Sequence, residues 1–401
     1  MTMNEERLRS SLAAHQLNAV IATSPENVTY LSGFWCLPQW IRRGPQAFAV
    51  FAPATGAQPV QLIAPTSTLD LVGDQMVQGE IYRYGAFHVD ADPRPLAQQS
   101  EVLDDANQKH LTLRNRADHV TALAALTTAL SDRRLNNARI GLDETGLSLD
   151  DVARLKSTFP DAVFEPANDL LRHVRAVKTE VEISHLARIA ATTERSISAA
   201  LDAAKIGMSE LEMARIFHGQ TVKEDAMPVL GCIGFGERTA LMNVQPSSRR
   251  LQQGDLIRFD VGGHYGQYRA DIARIASIGE PTREVRTKFD ALYKGVMRGI
   301  DMVRPGIRAG DLFDAIIDTV RQEGILHYQR NHVGHGIGLD GYDFPLIAPG
   351  SPTVLEAGMV LCLETPYYEI GRFGLQVEDM LVVREDGAAL LSAMGSQLRV
   401  L

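Results

Sequence analysis

Asp255–Ile275 reads DLIRFDVGGHYGQYRADIARI. It has the form of a β-hairpin, two apolar runs joined by a turn made of VGG and HYG. Asp260 ends the first strand and Asp271 stands in the second. Strand parity and a reversal of direction can bring two carboxylates to one face of a sheet. A charge in an apolar strand is costly unless something compensates it. Two aspartates alone are thin grounds for a site, because such pairs arise by chance. A second pair strengthens the case: Glu364 in VLCLETPYY and Glu378 in GLQVEDMLVV, each interrupting a strand-like apolar run.

Arg330–Pro345, RNHVGHGIGLDGYDFP, adds an imidazole. Its glycines exclude an ordinary helix or packed strand and let backbone pass close to something. A lone histidine is ordinarily a hydrogen-bonded structural residue, and only the carboxylates make His335 a candidate ligand. Four carboxylates in apolar strands call for a divalent cation, and two compensate better than one. Carboxylates with one imidazole suit manganese, iron, cobalt or zinc rather than a metal that prefers thiolates. A dinuclear centre with a bridging hydroxide polarises a carbonyl, which is the chemistry of metal-assisted hydrolysis.

The 401 residues suffice for two or three domains of roughly 100–200 residues. Residues 1–165 alternate helix and strand. Glu5–His15 reads as helix, LNAVIAT as strand, and SPENVTYLSGF as a turn followed by a short strand. AFAVFAP and VQLIAP are strands split by the turn ATGAQ. A helix around Ala117–Leu130 precedes the strand ARIGLD and the helix LSLDDVARLKSTF. The character changes near Pro166–Lys178. Thr179 with Glu182, and Ser209 with Glu212, form capping boxes ahead of long helices. Strands PVLGCIGFG, DLIRFDVGG and QYRADIARIASIGE follow, then helices Arg283–Met302 and Asp311–Glu323. The last third is strand and loop. The pattern predicts an α+β domain over 166–401, with helices on one side of a largely antiparallel sheet, behind a smaller α/β domain over 1–165.

The net charge of −9 gives no basic footprint for nucleic acid. The first twenty residues read as an amphipathic helix rather than a signal peptide. No apolar run approaches the roughly 20 residues that span a bilayer. Cys36, Cys232 and Cys362 are far apart and form no CxxC pair. They read as small buried thiols of a cytoplasmic protein without a nucleic-acid or membrane partner.

Asp260, Asp271, the GHG around His335, Glu364 and Glu378 stand in an order and spacing that resembles the pita-bread metallopeptidases. These include aminopeptidase P, prolidase and methionine aminopeptidase, with metal-free creatinase as a relative. SPENVTYLSGF resembles the start of the creatinase-type N-terminal domain, and LRHVRAVKTEVEI the link into the catalytic domain. The resemblance implies that Asp260 and Asp271 hold one of two divalent ions, manganese foremost, with zinc, cobalt or iron as substitutes. It implies that Asp271 and Glu378 reach the second ion, and that His335 and Glu364 complete the set. Glu364 would also shuttle a proton. The implied substrate is a short peptide or small amide, often cut before proline, and the implied assembly is a homodimer.

Three departures bear on substrate choice. Prolidase-like members usually carry a histidine where this chain has Tyr342, another where it has Asn243, and an arginine where it has Gln376. Such donors stabilise the developing oxyanion. Tyr342 can donate a hydrogen bond but carries protons poorly near neutrality. His332 and His264 are the nearby imidazoles that could substitute, so Glu364, His332 and Tyr342 are the catalytic candidates. Asn243, Arg238, Tyr367, Tyr368, Trp40 and Arg42 are candidates for holding substrate, with Trp35 and Arg43 in the same aromatic and basic loop as Trp40 and Arg42. Each of these could equally be a packing residue or a surface ion-pair partner. The first functional reading is hydrolysis of a C–N bond, in an Xaa-Pro peptide or in a non-peptide amide or cyclic amidine as for ectoine hydrolase or creatinase. The second is a metal-dependent lyase of the dimethylsulfoniopropionate type, with Asp340 or Asp343 as base. The third is a binding module that has lost catalysis, which five retained ligands disfavour.

Overall fold

The computed structural model describes residues 3–42, 46–53, 58–90, 103–114 and 118–401. Arg43, most of the ATGAQ turn and the expected helix start at Ala117 lie outside the described residues. The chain forms two compact units, Met1–Arg175 and Ala176–Leu401. Their division falls inside the Pro166–Lys178 stretch, later than the 165/166 boundary expected above.

The first unit is built on a seven-stranded mixed sheet. Its strands are β1 (Ala19–Ala22), β2 (Phe48–Phe51), β3 (Val60–Pro65), β4 (Glu80–Tyr84), β5 (Asp118–His119), β6 (Arg139–Leu142) and β7 (Val163–Pro166). The spatial order is β5-β4-β3-β2-β1-β6-β7. Helices Ala122–Asp132 and Leu149–Thr158 help to close its core, in which Leu126, Leu130 and Leu155 meet Ile21, Val50, Ile63 and Ile140. The helix expected from Ala117 begins at Ala122 instead, because the Thr121 side chain caps it by accepting from the Ala124 amide.

One expectation fails outright. SPENVTYLSGF is not a turn and a strand but a helix, Pro25–Ser32. Ser24 caps it, Pro25 occupies its first turn, and Gly33 ends it with φ 73°. The β-branched and aromatic residues suggested a strand, but the capping residues at both ends prevail. Asp143 then fixes the cap, accepting from the Ser24 amide and hydroxyl at 2.8 and 2.7 Å and from Asn27 at 2.8 Å.

The second unit carries a ten-stranded sheet. Its strands are β8 (Met227–Phe235), β9 (Leu256–Tyr265), β10 (Tyr268–Arg269), β11 (Ile272–Ser277), β12 (Gly334–Gly336), β13 (Asp343–Leu346), β14 (Val360–Glu364), β17 (Glu378–Arg384), β18 (Gly387–Leu390) and β19 (Arg399–Val400). A small hairpin of β15 (Tyr367–Glu369) and β16 (Phe373–Leu375) stands apart. All pairings are antiparallel except β11 with β19. Both capping boxes form, opening helices Glu180–Asp202 and Glu210–Lys223. Helices Arg283–Met302 and Ala309–Gln322 bury Leu292, Val296, Leu312, Ile316 and Val320 in one core with Leu361, Leu363, Leu381 and Val383 of β14 and β17. Strand parity turns the alternate residues Cys362, Glu364 and Glu378 to the other face.

The opening hairpin differs in detail from its reading. β9 continues through VGG to Tyr265, and the turn is Gly266–Gln267, with φ 56° and 71°. Asp271 lies in the break between β10 and β11 rather than within a strand. Gly262 permits that break, since a Cβ there would sit 1.8 Å from the Ala270 carbonyl oxygen.

Candidate metal centre

Sheet register assembles the site. Asp260 pairs with Ala273, Ala273 with Glu378, and Glu378 with Glu364, giving a row across β9, β11, β17 and β14. Asp271 precedes Ala273 by two residues and shares its face. His335 pairs with Cys362, two residues before Glu364, and so comes to the same face from β12. Ligating atoms of Asp260, Asp271 and Glu378 all lie within 4.8 Å of one another, as do those of His335, Cys362 and Glu378. Glu364 is held by other partners, with Oε1 3.1 Å from His332 Nε2 and Oε2 accepting from Gln376 at 3.3 Å.

The polar atoms left over fit bound cations. His335 Nδ1 donates to the Gly336 carbonyl at 3.0 Å, because a carbonyl can only accept. Nε2 therefore carries the lone pair, and it is buried without a hydrogen-bond partner, as are Asp271 Oδ1 and Glu378 Oε2. An imidazole oriented by a backbone carbonyl is the usual arrangement of a ligating histidine. The electrostatics agree. Burial, then the neighbouring carboxylates Asp260 and Glu364, push the Asp271 carboxyl well above its usual range. Burial and Asp271 do the same to Glu378. Burial raises Asp260 to about 6 even against the Arg258 guanidinium. Burial lowers the His335 imidazole, keeping it in the neutral, ligating form. Crowded carboxylates that resist ionising together are what divalent ions relieve.

A cavity of about 220 Å³ opens on this cluster, walled by Met242, Asn243, Arg330, Asn331, Pro366 and Tyr368 among others. Tyr342, half exposed, stacks on His335 with ring centroids 3.9 Å apart and planes 17° from parallel. Arg258 is fully buried beside the cluster. Its guanidinium reaches Asp260 at 3.2 Å, Gln376 at 2.7 Å, and the carbonyls of Leu241 and Met242 at 2.7 and 2.8 Å.

Comparison with known proteins decides the family. Residues 184–385 match the profile of metallopeptidase family M24, and residues 5–177 that of the creatinase/prolidase N-terminal domain.

The chain belongs to metallopeptidase family M24.

"Probable dipeptidase PepE" of Mycobacterium tuberculosis is 33% identical over 236 residues, 58% of this chain and 63% of that protein. The match thus spans less than two thirds of the mycobacterial relative. An Xaa-Pro dipeptidase of Lactobacillus delbrueckii subsp. lactis is 24% identical over 100% of this chain and 99% of its own. The solved Xaa-Pro dipeptidase of Bacillus anthracis superposes with a TM-score of 0.78 at 21% identity, covering 99% and 98% of the two chains, which establishes a shared fold. M24 membership implies divalent metal ions and matches the pita-bread and creatinase-type domains expected from the sequence.

Within this M24 unit the other candidates separate. Asn243, His332, Tyr342 and Tyr368 line the cavity, whereas Tyr367 and Arg238 do not. Tyr367 packs on Phe373 and bonds Glu369 at 3.0 Å. Arg238 is committed to buried Glu210, at 3.0 Å to each carboxylate oxygen. His264 lies on β9 facing Arg269 in register, outside the cavity lining. Asp340 caps its own turn by accepting from the Tyr342 amide at 3.3 Å. Trp40 and Arg42 belong to the first unit, where Trp40 ends the short helix Leu37–Trp40 and Arg42 pairs with Glu26 at 3.6 Å. Sequence reading passed over Arg258 and Arg330. A lone arginine inside the apolar run LIRFDV was the available signal for the first.

Proposed function

We propose that the protein is a metal-dependent hydrolase of the amide bond in short peptides, acting as an Xaa-Pro dipeptidase or aminopeptidase. The observation that carries this reading is the convergence of four carboxylates and one oriented imidazole, three of their buried atoms without partners, on a cavity large enough only for a small substrate. Asp260, Asp271, His335, Glu364 and Glu378 would hold two divalent ions. Bound there, the ions supply Lewis-acid polarisation of the scissile carbonyl and of water. Glu364, oriented by His332 and Gln376, accepts the proton of the attacking water. His332, 3.1 Å from Glu364 and partly exposed, passes a proton to the leaving amine. Asn243 supplies a donor toward the oxyanion. Manganese as resident ion, a homodimeric assembly and a cytoplasmic location complete the proposal. Three free, buried cysteines fit a reducing compartment.

Relatives named dipeptidases support a peptide substrate over ectoine-like amides and over elimination. The test is turnover of Xaa-Pro dipeptides and Xaa-Pro-Xaa tripeptides by manganese-loaded protein, with a chelator control. Chelator-sensitive cleavage is expected. A folded, loaded protein that cuts none of them overturns the peptide reading, and Tyr342 in place of histidine then directs the search to non-peptide amides.

A further inference from the structure

The cavity holds one cation that the metal chemistry does not use. Arg330 lies on its wall, at the start of the loop that leads to His335. Among the described residues, no carboxylate oxygen lies within ion-pair distance of it, whereas Arg258 is tied to Asp260, Gln376 and two carbonyls. The Arg330 Nε is shut from solvent without a hydrogen-bond partner. Its guanidinium carbon lies 5.1 Å from the Tyr368 ring centre and 5.5 Å from that of Tyr328. Tyr328 is itself fixed, donating to the Pro366 carbonyl at 3.0 Å. On its other side Tyr368 carries the Arg258 guanidinium, also at 5.1 Å. The side chain is therefore flanked by two aromatic rings, and among the described residues no carboxylate pairs with its charge.

Charge accounting says what matches it. The four cavity carboxylates balance two divalent ions, so a loaded site leaves Arg330 as an uncompensated positive charge. Beyond Arg330 and Asn331 lies a larger groove of about 640 Å³ that these two residues also line. Its walls also carry Asp314, Asp318 and Arg321, with Arg321 3.8 Å from Asp318. A negative group entering from the metal side thus meets an attracting cation first at Arg330. A rigid guanidinium fork matches a carboxylate in a bidentate pair.

We propose that Arg330 is a specificity-determining residue, which binds the free C-terminal carboxylate of a dipeptide and so limits substrate length. This rests on the peptide reading above. It gives to Arg330 a role in holding substrate that the sequence suggested for Arg42.

The test compares an Xaa-Pro dipeptide with its C-terminal amide on the manganese-loaded full chain, in wild type, Arg330→Gln and Arg330→Lys. The wild type is expected to prefer the free carboxylate. Arg330→Gln is expected to remove most of that preference through KM, roughly 10- to 100-fold as for loss of a charge-assisted hydrogen-bonded pair. Arg330→Lys keeps the charge without the fork and is expected to fall between them, and it serves alone if Arg330→Gln does not fold. A folded variant with the wild-type preference overturns the proposal. If the wild type cuts neither substrate, the peptide reading fails, and equilibrium binding of L-proline against L-prolinamide decides the role of Arg330. Discrimination that Arg330→Gln abolishes supports it, and equal binding of the two by wild type overturns it.

Discussion

Without its ions, the metal cluster should make the protein less stable as pH rises from 4 toward neutrality, and Asp271→Asn should reverse part of that loss. The Asp260 carboxyl is raised from 3.8 to about 6, first by burial. A carboxyl with a raised folded value costs nothing below its unfolded pKa, where both states are protonated. The cost grows as pH climbs from 4 and is complete above 6. Two units at 1.36 kcal/mol each give about 3 kcal/mol for this group. Asp271 and Glu378 act in the same direction. In a unit the size of Ala176–Leu401, about 3 kcal/mol corresponds to roughly 6–12 °C in Tm. Thermal unfolding of chelated protein at pH 4 and 7.5 should show most of that fall. Excess manganese should abolish it, because an ion at 100 times its Kd adds about 2.7 kcal/mol. Asp271→Asn removes one like charge, so it should raise the chelated protein's stability at pH 7.5 by about 1–3 kcal/mol while lowering that of the metal-treated protein. The same sign of effect in both states would refute the reasoning. So would a chelated protein whose Tm ignores pH across this window.

Four further outcomes are expected. His335→Ala should leave the circular dichroism spectrum unchanged but eliminate tight binding of one manganese ion in calorimetric titration, together with turnover. Arg274→Ala should cost about 3–5 kcal/mol in urea unfolding, because buried Glu194 and Asp379, 2.9 and 2.7 Å from that guanidinium, lose their countercharge; a loss under about 1 kcal/mol would show that the pair does not depend on it. Glu182, raised to about 7 chiefly by burial, is costly above that pH and neutral in cost below 4.5. Glu182→Gln keeps an acceptor for the Thr179 amide, so it should stabilise by up to about 3 kcal/mol at pH 8.5 and change little at pH 4, read by denaturant titration at each pH. Tyr342→His should raise turnover of Xaa-Pro dipeptides, and an unchanged rate would remove Tyr342 from the account of specificity.

The carboxylates were legible because four of them interrupt apolar runs, where charge is costly without compensation. Their convergence was less so, since it depends on strands distant in the chain aligning Asp260, Ala273, Glu378 and Glu364 in one row. The capping boxes at Thr179 and Ser209 are local and were read correctly. Pro25–Ser32 was misread because residue preference was weighed above its capping residues. Of the two neighbouring tyrosines named as candidates, Tyr368 keeps the parity of Glu364 and lines the cavity, whereas Tyr367 keeps that of Leu363 and joins the core. Arg330 stands at the head of the glycine-rich motif around His335 yet was passed over, since nothing local says that a flanking arginine lacks a carboxylate partner.

The residues proposed as ligands and those proposed to recognise substrate occupy different kinds of backbone. Asp260, His335, Glu364 and Glu378 are held in strands, and Asp271 abuts one, so any change of register would dismantle them all. Asn243, Arg330, Asn331, His332 and Tyr342 lie in the connecting segments. Two inheritances can therefore run at different speeds in one molecule. The candidate metal centre is tied to the sheet and can only be kept or lost as a whole, while the connections can exchange single residues and change what the cavity accepts without disturbing the ligands.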